Sequence, residues 1–201
     1  MKILLGTRNE GKIKEFLNIL DDLRDVEFLT KRDIKFPEIE EDGSSYRENA
    51  LKKARGISKT TGYPVLSEDA GLEVRYLEGS PGIYSSRFAG ENASPEDNNR
   101  KLLSLLKGKE GKERRARFVS CVLLYIPDRD EVRISQGVLS GEIATEKRGN
   151  KGFGYDPLFI PDGFSKTLAQ LGSEVKDSIS HRKEALEGIK GEIEELVQLS
   201  K

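Results

Sequence analysis

The sequence predicts an α/β fold with a mixed β-sheet flanked by helices. Two observations carry that prediction. In the first half, short apolar runs of strand length alternate with segments whose apolar residues recur at helical spacing, the pattern of strands joined by helical crossovers. In the second half, two long strand-like runs, Arg117 to Ile126 and Glu131 to Ile143, are joined by Pro127-Asp128-Arg129-Asp130. That spacing predicts a hairpin, which adds antiparallel pairing to the sheet.

The elements follow in order. Lys2 to Leu5 reads as a short strand entering the polar turn Gly6 to Lys12. Ile13, Phe16, Leu17 and Leu20 then mark a helix, and Val26 to Leu29 a second apolar stretch. Phe36-Pro37 breaks the chain before the acidic loop Glu38 to Gly43. Ser45 with Glu48 three residues on predicts a capping box. Ala50, Lys53, Ala54 and Ile57 continue that helix, and Gly62 stops it. Pro64 to Ser67 is expected as a strand ending in Glu68-Asp69-Ala70-Gly71. Ser94-Pro95-Glu96-Asp97 opens another helix with an N-cap serine, proline at the first position and acids in the first turn. Leu102, Leu103, Leu105 and Leu106 form its apolar face. Gly149 to Gly154 is a glycine-rich loop, and His181 to Leu199 a terminal amphipathic helix.

Length and composition narrow the function classes. A chain of 201 residues suits one ordinary domain, or two small lobes whose boundary the sequence does not mark. Lys+Arg 34 against Asp+Glu 35 leaves a net charge of -1, so nothing in bulk drives it toward a nucleic-acid polymer or an anionic membrane. No apolar run has the length of a transmembrane span. One cysteine, Cys121, and one histidine, His181, exclude an intrachain disulfide and a cysteine- or histidine-rich metal centre. A metal would need oxygen ligands, which points to a hard ion such as Mg²⁺. The inventory suits a reduced, cytoplasmic protein.

Four stretches could carry chemistry. Thr7-Arg8-Asn9-Glu10-Gly11-Lys12 sits between a strand and a helix, where backbone N–H groups, the helix dipole and a lysine can cradle phosphate; an ordinary capped turn would look the same. Ile13 stands where a Walker A loop has its Mg²⁺-holding Ser or Thr. The acidic set Glu38, Glu40, Glu41, Asp42, Glu68 and Asp69 could hold Mg²⁺ or deprotonate a water, or be partly a solvated acidic loop. Asp69, expected at a strand's carboxyl end, is the best placed of them. Lys151 to Pro157 brackets Phe153 with glycines, so backbone can approach a flat ligand against a stacking ring; a turn with core aromatics is the plainer reading. Lys176 with Ser180-His181-Arg182 gathers hydrogen-bond donors, which a 6-oxo purine requires; a lone histidine at a helix start is more often a structural hydrogen-bonder.

Together and in this order, these stretches resemble the inosine triphosphate pyrophosphatase family, the pyrophosphatases of XTP, dITP and other non-canonical purine triphosphates. The matching segments are Thr7-x-Asn9-x-x-Lys12, Glu40-Glu41-Asp42-Gly43, Glu48-Asn49-Ala50, Glu68-Asp69-Ala70-Gly71-Leu72, Pro81-Gly82-Ile83-Tyr84-Ser85-Ser86-Arg87, Gly152-Phe153-Gly154-Tyr155-Asp156-Pro157 and Ile179-Ser180-His181-Arg182. The resemblance spans nearly the whole chain. It implies an elongated two-lobed domain with an active-site cleft between the lobes, a homodimer, and Mg²⁺-dependent conversion of ITP, dITP or XTP to the monophosphate and pyrophosphate.

Carried over residue by residue, it implies that Thr7, Arg8, Asn9, Glu10, Gly11 and Lys12 form the triphosphate loop, with Lys53 a second phosphate-facing lysine. It implies Glu40 and Asp69 as Mg²⁺ ligands and Asp69 as the proton acceptor for water. Ala70 contacts substrate through its backbone. Phe153 stacks on the base, Gly154, Tyr155 and Asp156 complete that wall, and Lys176, His181 and Arg182 read the base edge. Many members have Asp-Asp-Ser-Gly where this chain has Glu68-Asp69-Ala70-Gly71, so the first carboxylate here rides on a longer arm and the serine hydroxyl is missing. Two rival functions remain on sequence alone: a nucleotide- or RNA-binding module without turnover, and a pyrophosphatase of other modified nucleotides.

Overall fold

A computed structural model describes residues 1–199. Its six strands are β1 (Lys2–Leu5), β2 (Glu27–Leu29), β3 (Val65–Val74), β4 (Arg115–Ile126), β5 (Glu131–Ile143) and β6 (Phe159–Pro161). Its helices are α1 (Glu10–Ile19), α2 (Tyr46–Thr61), α3 (Pro95–Leu105), α4 (Leu168–Leu171), α5 (Ser173–Ile179) and α6 (His181–Gln198). The strands form one sheet in the order β2-β1-β3-β4-β5-β6. β1 runs parallel to β2 and β3, while β5 and β6 are antiparallel, so the sheet is mixed as expected. Among the described residues, no helix is long and apolar enough to cross a membrane.

The chain divides into two compact units. The first comprises Met1–Asp69, Ser120–Gly137 and the segment from Arg182 onward. Its strands alternate their side chains between two faces. Ile3 and Leu5 of β1 and Val122 and Leu124 of β4 pack with Phe16 of α1 and Leu186 and Ile189 of α6. Leu4, Val65 and Leu123 pack on the other face with Ala50, Ala54 and Ile57 of α2. The second unit comprises Ala70–Val119 and Val138–His181. Its core gathers Leu72 and Val74, Leu102 and Leu106, Phe118, Tyr155, Leu158 and Phe159.

The helix starts follow the sequence signals closely. Asn9 caps α1, its side chain accepting from the Lys12 N–H at 3.1 Å. Ser94 and Asp97 form the reciprocal box at the start of α3, with Pro95 in the first turn. Ser45 caps α2, but the expected reciprocal box does not close. The Glu48 carboxylate instead accepts from the backbone N–H and hydroxyl of Ser44, both at 2.8 Å, because one residue earlier both donors are available to it. Gly62 ends α2 in the left-handed region, φ 74°.

The third strand differs from expectation. Glu68-Asp69-Ala70-Gly71 does not end it: β3 continues to Val74. Polar and small residues suggested a turn, yet Ser67 and Glu68 are buried with partners, Ser67 Oγ donating to the Ala50 carbonyl at 2.7 Å and Ser120 Oγ to the Glu68 carboxylate at 2.7 Å. Leu72 and Val74 then enter the second unit's core. Asp69 therefore lies in mid-strand.

Candidate active site

The first unit carries the phosphate-type loop. Gly6 ends β1 with no room for a side chain, since a Cβ there would meet Val65 Cγ1 at 2.8 Å. The chain then turns through Thr7, whose hydroxyl accepts from the Asn9 N–H at 3.3 Å, into α1. The first-turn N–H groups of a helix have no carbonyl before them in the helix and face whatever lies at its N-terminus. Arg8 is turned aside, donating to the Phe36 carbonyl at 2.6 Å and pairing with Glu38 at 3.2 Å. Glu10 pairs with Lys31 and Arg32, both at 2.8 Å, and the Lys31 hydrogen bond holds its carboxyl below the usual range. Lys12 is the cation at this end of α1, 3.2 Å from the Glu68 carboxylate.

Asp69 belongs to the same unit as this loop. It is 4 % exposed, and Asn49 Nδ2 donates to its carboxylate at 2.9 Å. Burial pushes the Asp69 carboxyl up; Lys53 opposes this, Glu41 adds to it, and Lys12 and the Asn49 hydrogen bond oppose it further. Lys53 Nζ joins the set, 2.6 Å from the Glu41 carboxylate and 2.5 Å from the Glu68 carbonyl. A carboxylate held in a nearly dry place beside cations suits a proton acceptor.

Asn49 joins this candidate site; the sequence placed it in the matching segment Glu48-Asn49-Ala50 but gave it no role. Its Oδ1 accepts from the Gly43 N–H at 2.7 Å while its amide holds Asp69, so one side chain ties the acidic loop to the buried acid. The available signal was its place one turn before Lys53 on the same face of α2. Replacing Asn49 by leucine is expected to lower kcat at least tenfold and to cost about 1–3 kcal/mol of stability, because the buried Asp69 carboxylate and the half-buried Gly43 N–H lose their partner. Urea unfolding and turnover on the purified variant check both; unchanged kcat would show that the link does not position Asp69.

The donor set also fits a hard cation. Among the described residues no three His, Cys, Asp or Glu groups converge to cage a metal. Mg²⁺ does not need a cage: it usually keeps several waters and takes one or two carboxylates plus substrate phosphates. Asp69 offers an anionic oxygen whose burial favours a positive neighbour. In the acidic loop, Glu41 is engaged by Lys53, whereas Glu40 is exposed and makes no hydrogen bond or ion pair among the described residues.

The second unit carries the aromatic loop. Gly152 adopts φ 76°, and a side chain there would collide with the Asp156 carboxylate. That carboxylate accepts from the Phe153 N–H at 2.9 Å and from Lys176 Nζ at 2.6 Å. The Lys176 ammonium also lies 4.1 Å from the Phe153 ring centroid, so one face of the ring bears a cation. Gly154 is fixed by its carbonyl, which accepts from Asn99 at 3.1 Å. Tyr155 is a core residue whose hydroxyl donates to the Ser85 carbonyl at 2.9 Å, and burial pushes its phenol up. His181 is buried, stacked on Phe118 at 4.8 Å. Ala70 is half-buried on β3.

Arg182 makes its contacts within the first unit. It belongs to the first unit, is 2 % exposed, and its guanidinium is held by Glu15 and by Glu68, the latter at 3.0 Å. Burial alone would pull its pKa down; the two carboxylates hold it above the usual range, so the charge persists. Glu15 and Ser120 were missed because only the fold brings residues 15, 68, 120 and 182 together.

These features define an α/β protein with a lysine-bearing loop at a helix start, a buried acid flanked by cations, and an aromatic loop backed by a buried ion pair. The chain belongs to the Ham1 family, whose model matches residues 3–192. It is 46% identical over 199 residues to a dITP/XTP pyrophosphatase of Elusimicrobium minutum, covering 96% of this chain and 100% of that one. It is 45% identical over 186 residues to a dITP/XTP pyrophosphatase of Bacillus licheniformis, covering 92% and 94%. The solved HAM1 protein of Coxiella burnetii matches with TM-score 0.87 and 39% identity, covering 97% of this chain and 99% of that one. The resemblance read from the motifs is borne out.

Proposed function

We propose that this chain is a Mg²⁺-dependent nucleoside triphosphate pyrophosphohydrolase that converts dITP, XTP and ITP to the monophosphate and pyrophosphate, clearing deaminated purines from the nucleotide pool. The observation that carries the reading is Asp69, a buried carboxylate with a raised pKa, hydrogen-bonded by Asn49 and near Lys53 and Lys12. The relatives' shared name supports the same substrate class.

In this reading Asp69 takes the proton of the attacking water. Lys12, Lys53 and the N-terminal N–H groups of α1 offset the charge that grows on the departing pyrophosphate. Asp69 and Glu40 are the oxygen ligands for Mg²⁺, which when bound would neutralise triphosphate charge and acidify a coordinated water. Thr7 to Lys12 line the triphosphate, with Ala70 contributing its N–H.

The base stacks on Phe153, beside Gly154, Tyr155 and Asp156. Lys176 and His181 present donors toward it. O6 of hypoxanthine or xanthine accepts such donors, whereas the 6-amino group of adenine donates and would leave them unpaired. The same reading takes the protein as a cytoplasmic homodimer without a nucleic-acid or membrane partner, in keeping with its balanced charge.

Incubation with ITP, XTP, dITP, GTP, ATP and dUTP in the presence of Mg²⁺ tests the proposal. The expected result is rapid pyrophosphate release from the first three and little from ATP or dUTP. Binding of ITP without turnover would replace the enzyme by a nucleotide-binding module. Preferred cleavage of dUTP would replace the substrate class.

A further inference from the structure

We propose that Glu15 is a positioning residue: through Arg182 and Glu68 it holds the Lys12 ammonium ready for the triphosphate. The inference rests on the reading of Lys12 as a phosphate contact.

Four charged groups of the first unit form an alternating line. Glu15 on α1 pairs with Arg182 at the start of α6. Arg182 Nε lies 3.0 Å from Glu68 Oε1, and Glu68 Oε2 lies 3.2 Å from Lys12 Nζ. Ser120 Oγ donates to Glu68 Oε1 at 2.7 Å and fixes the carboxylate's rotation. The side chains of Glu15, Arg182 and Glu68 are 8%, 2% and 0% exposed, while that of Lys12 is 18% exposed. The line is thus dry along its length and opens at one end only, on the lysine of the anion loop.

Stability alone is a poor reason for such an arrangement. Burying three charges carries a large desolvation penalty, and apolar residues of similar volume often serve a core as well or better. What the line supplies is a fixed place for Lys12. A flexible lysine side chain loses rotamer freedom when it engages a ligand. One already held by a carboxylate at 3.2 Å has lost most of that freedom beforehand. Glu68 can orient Lys12 only while part of its charge is not drawn to Arg182. Glu15 supplies that balance by sharing Arg182 from the far side. Without Glu15, Arg182 draws more strongly on Glu68, and the grip on Lys12 slackens. Lys12 and Glu15 lie three residues apart on α1, so the helix itself fixes both ends of the line.

The test is a double-mutant cycle of Glu15→Gln and Lys12→Ala, read as kcat and KM for ITP, with pyrophosphate and inosine monophosphate as inhibitors. Glutamine keeps the shape and a hydrogen-bond acceptor for Arg182 but removes the charge. Glu15→Gln is expected to lower kcat by roughly tenfold or more and to weaken inhibition by pyrophosphate, leaving inosine monophosphate inhibition within about twofold. In the Lys12→Ala background it should change kcat little, because its effect passes through Lys12. Multiplying losses, or unchanged kcat in folded Glu15→Gln, would overturn the proposal. If Glu15→Gln does not fold, Glu15→Asp, whose arm is one methylene shorter and draws the carboxylate back from Arg182, replaces it in the same cycle with the same criteria. Wild-type protein that fails to release pyrophosphate from ITP would defeat the functional reading instead, so the two failures are distinct.

Discussion

Replacing Asp69 by asparagine is expected to reduce ITP turnover by about 10³-fold or more, toward the upper part of the roughly 10²–10⁴ range of a lost general base because the same carboxylate is proposed as a metal ligand. Asparagine keeps the shape, and its carbonyl oxygen can still accept the Asn49 amide hydrogen bond of 2.9 Å, so the local geometry survives. The fold should not weaken. Burial raises the Asp69 pKa above its unfolded value, so the folded protein binds that proton more tightly than the unfolded chain. The ionised form therefore opposes folding as pH rises through the unfolded and then the folded pKa, and at neutral pH that penalty is present. Asparagine removes it. Thermal unfolding at pH 7 without added metal should give a Tm equal to or above that of the wild type, with activity lost. Stability exchanged against function in this direction marks an active-site group. Near wild-type turnover at saturating Mg²⁺ would remove Asp69 from the chemistry, and a large fall in Tm would make its role structural.

What the sequence made legible divides along the distance between partners. Local devices were readable: the Asn9 cap, the Ser94–Asp97 box and the Gly62 stop each depend on residues within a few positions. The alternation of β1 and the apolar face of α6 were readable for the same reason. Short elements set by tertiary contact were not, and β6, α4 and α5 carry too few residues for a period to show. The extension of β3 through Glu68-Asp69-Ala70-Gly71 was hidden because the charges that make a buried glutamate tolerable come from Lys12 and Arg182, which are remote in sequence. At the site, residue types and order pointed to the family, and its model matches nearly the whole chain. Partnerships were not visible. Arg182 read as one more donor beside His181, whereas its guanidinium is held between two carboxylates of the first unit. The Glu68 carboxylate reaches a hydroxyl and two cations at once.

The second large effect is expected at Lys176. Its ammonium and the Asp156 carboxylate are each 4% exposed and 2.6 Å apart. Changing Lys176 to methionine keeps the length and apolar stem but leaves Asp156 without that counter-charge, and breaking such a buried pair typically costs about 3–5 kcal/mol. A loss of that size lowers Tm by many degrees, and by itself it would say nothing about base recognition. The double variant Lys176→Met with Asp156→Asn separates the two. It removes both charges while the asparagine oxygen still accepts from the Phe153 N–H, so most of the stability should return. The preference for ITP over ATP should not return, because the donor proposed to face O6 is gone. Phe153→Ala provides the contrast. Removing a stacking ring costs about 1–3 kcal/mol of binding for any base, so both nucleotides should weaken together and the ratio of their kcat/KM values should persist. The coupling is close, since Lys176 sits 4.1 Å over that ring, and some loss of Lys176 placement in Phe153→Ala would appear as a small drop in the ratio. If the stable double variant keeps the wild-type ratio while Phe153→Ala erases it, Lys176 serves the fold and the aromatic wall does the discriminating.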